Sequence, residues 1–213
     1  FLTPWKITPW AESVIEYMLY ALWDIGLKVG HSFRTIDECV KLSKEDVTIR
    51  TSILDKRFLF GDRGVYDKLV ERFQKDVIAG RGAEFVAAKL QERADRHARE
   101  GDSRYRVEPN VKDGKGGLRD LQTLFWLAKY IHGGKTLQEV LDDSAFTPAD
   151  KAIFLREARF LWTVRCHLHF LTGRAEERLS FDLQPEMATR MGYTVRQNVN
   201  AVERFMKRYF LAA

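Results

Sequence analysis

At 213 residues the chain is long enough for one large domain or two small ones, and 45% hydrophobic with 31% charged residues excludes a disordered polymer. The formal charge of +5 comes from 35 basic residues interleaved with 30 acidic ones, too mixed a pattern to argue for a nucleic-acid partner. No apolar run approaches the length of a bilayer span, so no membrane partner is expected; Cys39 and Cys166 lack metal-type spacing and read as thiols of a reduced, cytoplasmic protein.

There is no signal peptide, and a first residue of Phe1 rather than Met reads as a piece of something longer. Phe1-Leu2 resembles the tail of a strand. Thr8 followed by Pro9 starts a helix, and Ala11, Val14, Ile15, Met18, Leu22 and Ile25 repeat at helical spacing until Gly26 stops it. Residues 27–34 alternate apolar and polar side chains and predict a half-buried strand. Thr35 and Glu38 form a predicted capping box for a helix to about residue 43. The pattern over 46–54 is ambiguous, and 57–62 predicts another short strand. Helices are expected over 65–78 and 83–100, the second carrying a narrow apolar stripe of Ala83, Val86, Ala87, Leu90 and Ala94.

Further helices are expected over 118–131, around 137–141, from Thr147-Pro148 to near Gly173, over 185–191 with Gly192 as its stop, and over 199–211. The third of these is apolar enough to form the centre of a bundle. The partition is thus a small α/β part over 1–62 and a helical domain over 63–213.

The organising stretch is Glu108-Pro109-Asn110-Val111-Lys112-Asp113-Gly114-Lys115-Gly116-Gly117-Leu118-Arg119-Asp120-Leu121-Gln122. Glycines allow positive φ and close backbone approach, and a helix start offers free N–H groups to an anion. Lys112, Gly114, Gly116, Gly117, Arg119 and Asp120 are therefore candidate substrate-binding residues. The alternative is an architectural turn whose Asp120 complements the helix dipole. His31, on the first predicted strand, is a further candidate. A dinucleotide fingerprint is rejected, because Arg119 stands where a third glycine is needed and no strand precedes the turn. His167 and His169 have the wrong spacing for helical metal ligands. Arg93, Arg96, His97, Arg99 and Arg104, interleaved with Glu92, Asp95 and Glu100, read as a solvated helix face.

The long motif around the glycines resembles that of the bifunctional PII uridylyltransferase/uridylyl-removing family, and residues 26–32, 52–62, 191–193 and 202–210 resemble other segments of it in the same order. The resemblance implies an α+β, mostly α architecture: the remnant of a polymerase-β-like nucleotidyltransferase domain followed by a helical bundle. It also implies transfer of UMP from UTP to a tyrosine of the PII signalling protein, with Mg as the divalent cofactor. The family's Asp-x-Asp metal ligands would precede Phe1, so no catalytic or metal residue is expected in this chain, which alone should be inactive. The alternative is a helical interaction module of a nucleotidyltransferase-like regulatory protein or of glutamine synthetase adenylyltransferase.

Overall fold

The computed structural model describes residues 1–101, 106–133, 139, 147–196 and 198–213. They form two compact units, Phe1–Ala83 and Glu84–Ala213. The architecture is α+β and mostly α: a two-stranded parallel sheet accompanied by helices.

In the first unit, β1 (Leu2–Thr3) pairs with β2 (Arg34–Thr35) in the register Leu2 to Arg34 and Thr3 to Thr35. Between them α1 (Pro9–Asp24) opens on Thr8, whose hydroxyl accepts the Ala11 N–H, and is followed by Gly26 at φ +84°. The expected strand over 27–34 shrinks to its last residue plus Thr35. Alternation makes a strand possible, but a ladder needs a neighbour, and two residues of β1 are all that pair with it.

Thr35 then caps α2 (Ile36–Glu45) through the predicted box, with Glu38 accepting the Thr35 N–H at 2.8 Å. The ambiguous segment is helix α3 (Val47–Leu54), capped by Asp46. The strand expected over 57–62 is absent: Phe60 is 98% exposed, and Asp62 serves instead as N-cap of α4 (Arg63–Phe73). This helix continues into a single π-helical turn, Gln74–Ile78. Because α4 and that turn pack on α2, the first compact unit extends past residue 62 to Ala83.

In the second unit, α5 (Gly82–Arg99), α6 (Leu118–Ile131), α7 (Pro148–Thr172), α8 (Gln184–Arg190) and α9 (Ala201–Ala212) supply the bundle. Thr147 and Asp150 cap α7 reciprocally, and Gly173 ends it at φ +64°. As expected, α7 is central: it packs on α6, α8 and α9, and its Leu161, Val164 and Leu168 are fully buried. They share a core with Val111, Leu118, Leu179, Met187, Phe205 and Tyr209. The helix expected around 137–141 lies outside the described residues, apart from Glu139.

The stripe assigned to α5 is on the wrong side of the helix. Leu90 is 47% exposed, while Phe85, Lys89, Arg96 and His97 are buried. Only Phe85 among them is strongly apolar, and it stacks on Tyr130 with ring centroids 4.0 Å apart. Lys89 buries its stem and sets its ammonium 4.6 Å from the Trp126 ring centroid. Helical periodicity located a helix, but small alanines were a poor guide to its inner face.

Candidate functional site

The turn between Asn110 and Leu118 is held from both ends by the core, in which Val111 and Leu118 are both buried. On one side the Val111 N–H donates to the Glu177 carbonyl at 2.8 Å, and the Leu179 N–H donates to the Pro109 carbonyl at 2.9 Å. On the other, the Leu118 and Arg119 N–H groups donate to the Val111 and Lys112 carbonyls. The Asn110 side chain accepts from the N–H groups of Lys112 and Asp113, an Asx turn that the Asn-x-x pattern in the sequence could have signalled.

The glycines are required by space. A Cβ on Gly114 would lie 2.5 Å from the Asn110 carbonyl oxygen, and one on Gly117 would lie 2.7 Å from that of Val111. Gly116 has φ +77°, and a Cβ there would overlap the Ala213 carbonyl. The N–H groups of Gly114 and Gly117 donate to the carbonyls of Asn110 and Gly114. That of Gly116 donates to Asp120 Oδ2 at 2.8 Å. These backbone donors are engaged within the turn, so an anion arriving there would meet side chains.

Asp120, at the third position of α6, is the electrostatic centre of this region. Its carboxylate accepts from Arg93 Nε at 3.1 Å and Arg96 Nη2 at 2.5 Å, and lies 2.9 Å from His97 Nε2. Side-chain exposure is 10% for Asp120, 9% for Arg96 and 6% for His97. Burial pushes the Asp120 carboxyl up, but the Gly116 N–H, the Arg93 guanidinium and His97 together outweigh it and hold the group below its ordinary value. Of the basic residues read as a solvated face, Arg93, Arg96 and His97 instead dock α5 onto the glycine turn, Arg99 is exposed as expected, and Arg104 lies outside the described residues. Residues interleaved with acids along the sequence looked self-neutralising, whereas the acid that engages them is 24 residues from Arg96.

Lys112 and Arg119 remain on the outer side of the turn. Lys112 is 34% exposed in its side chain, with Nζ 4.0 Å from Asp113. Arg119 is 29% exposed, with Nε 3.6 Å from the same carboxylate and Nη1 donating to Gln122 Oε1 at 2.7 Å. Behind them Arg165 forms a fork onto Glu177, with contacts of 2.6 Å and 2.9 Å. Burial raises the Glu177 carboxyl, while Arg165, His169 and Lys112 bring it below its usual range.

The structure thus brings Lys112, Gly114, Gly116, Gly117, Arg119 and Asp120 together. His31 belongs to the other compact unit, where its exposed ring meets Trp23 and Phe33 edge-on. His169 lies 3.6 Å from Glu177. Among the described residues no group of three or more His, Cys, Asp or Glu is placed to hold a metal ion. No helix among the described residues is long and apolar enough to cross a membrane.

The glycine turn is thus locked to the start of α6 by a buried carboxylate, with basic side chains on its rim. The GlnD PII-uridylyltransferase family model matches residues 84–213, and the chain belongs to that family. It is 65% identical, over its whole length, to the bifunctional uridylyltransferase/uridylyl-removing enzyme of Phenylobacterium zucineum. It is 62% identical to the enzyme of the same name from Caulobacter vibrioides and 58% identical to that from Rhodopseudomonas palustris. The chain spans 23% of the length of each of these relatives. No solved structure matches it.

Proposed function

We propose that this chain is part of a bifunctional uridylyltransferase/uridylyl-removing enzyme that moves UMP from UTP to a tyrosine of the PII signalling protein in the bacterial cytoplasm. The observation that carries the reading is the family match over residues 84–213, which contains the entire glycine turn and its buried Asp120 anchor. In this reading Lys112 and Arg119 meet a phosphate of the nucleotide or an acidic group of PII, and Asp120 is a positioning residue that holds the turn at the start of α6. Magnesium is the proposed cofactor, held by carboxylates outside this chain.

The test uses the full-length protein containing this chain and follows UTP-dependent labelling of PII. Arg119→Ala should lower kcat on the order of a hundredfold, the scale for losing one positioned electrostatic donor, with little change in melting temperature. Unchanged turnover would remove Arg119 from the site.

A second reading is favoured by the backbone amides: donors already engaged within the turn suit a purely architectural element of a helical interaction module. It predicts the opposite pattern, in which Arg119→Ala lowers stability and leaves UTP affinity intact.

A further inference from the structure

On the outer side of α7 lies an open cleft of about 480 Å³, which has no role in the preceding reading. Leu155, Phe160 and Met191 form its apolar wall, and Arg156, Arg159 and Arg208 bring three guanidinium groups to it. One carboxylate serves two of them: Glu157, 10% exposed in its side chain, accepts from Arg156 Nε at 2.7 Å and Arg208 Nη2 at 2.5 Å. Arg208 is further fixed 4.3 Å from the Phe160 ring centroid. The Arg159 guanidinium has no partner among the described residues.

We infer that this cleft binds a small phosphorylated molecule, with the phosphate held by Arg159 beside Arg156 and Arg208 and an apolar or planar body resting on Leu155, Phe160 and Met191. The volume falls within the range of small-molecule sites. Guanidinium forks match phosphate oxygens in pairs, and one carboxylate among three guanidiniums leaves positive charge for an anion to neutralise. Glu157 prepays the orientation of two of the three donors. The inference is independent of the transferase reading, because none of these residues lies on the glycine turn.

The experiment is hydrogen exchange of the full-length protein, reading peptides from residues 152–163 and 204–211 during titration with uridine monophosphate or inorganic phosphate. Both should slow exchange in these peptides, with the nucleotide half-saturating at lower concentration. Arg156→Ala/Arg159→Ala should weaken both by about tenfold or more, as expected for lost charge-assisted hydrogen bonds. Leu155→Trp, at a position 40% exposed, should weaken the nucleotide while sparing phosphate. Melting temperatures verify that both variants fold. Absence of protection in these peptides, or equal protection in the double variant, would overturn the site. Equal affinity for phosphate and nucleotide would overturn the assignment of the apolar wall.

Discussion

The two compact units use the same local devices and bury their side chains very differently. Thr8, Thr35, Asp46 and Asp62 cap helices in the first unit as competently as Thr147 and Asn200 do in the second. Yet in the first unit Trp5 is 78% exposed, Trp10 76% and Tyr17 77%, and α1 buries only Ile15 and Leu19. In the second, Leu161, Val164, Leu168 and Phe205 are wholly buried around a turn whose carboxylate is also enclosed. Caps are satisfied within one turn of chain, whereas burial requires a facing element. Helix formation and core formation are therefore separable here.

The largest effect should come from removing the centre of the second unit's polar network. Asp120→Ala leaves the buried Arg96 without its counter-ion and should lower unfolding stability by about 3–5 kcal/mol in urea titrations. Because the folded-state pKa of Asp120 is depressed, its stabilisation is present near neutral pH and declines as pH falls below about 4 through the folded pKa. Asp120→Ala should flatten that limb of the acid profile. An unchanged acid profile would remove the carboxylate from its central place.

Next in size is Gly116→Ala, which meets both a positive φ and the Ala213 carbonyl and should destabilise by about 2 kcal/mol or more. Gly26, also at positive φ but with nothing near its missing Cβ, provides the matched control at about 1 kcal/mol. Equal losses at the two glycines would contradict the crowding argument. Thr35→Ala removes half of a capping box and should cost about 1 kcal/mol by thermal unfolding. Smallest of all, Trp10→Ala in the 213-residue chain should alter stability by under about 0.5 kcal/mol. A loss several times larger would mean that Trp10 has a packing partner, and the contrast between the units would narrow.

Much of the local structure was legible because its causes are local. Thr-Pro starts, the Thr35/Glu38 box, the Leu118–Ile131 helix and the central α7 follow from capping chemistry and periodicity within a few residues. The true extent of the strand expected over 27–34 is not legible in the sequence, because alternation specifies two faces without supplying a neighbouring strand. The inner face of α5 is not legible either, because charged residues such as Lys89 and Arg96 count as outward-facing in any hydropathy pattern and are buried here.

The glycine turn divides along the same line. Its position, its flanking basic residues and its family resemblance were all present in the sequence, as was the helix it opens. Only the tertiary structure decided what Asp120 does, because its partners Arg93, Arg96 and His97 come from another helix and no periodicity links them to it. The same holds for the glycines themselves: sequence allows positive φ at Gly116, but the need for a missing side chain arises from the Ala213 backbone 97 residues away. Local chemistry determined where helices begin and end. Which charges are buried, and against what, depended on the packing of elements distant in the chain.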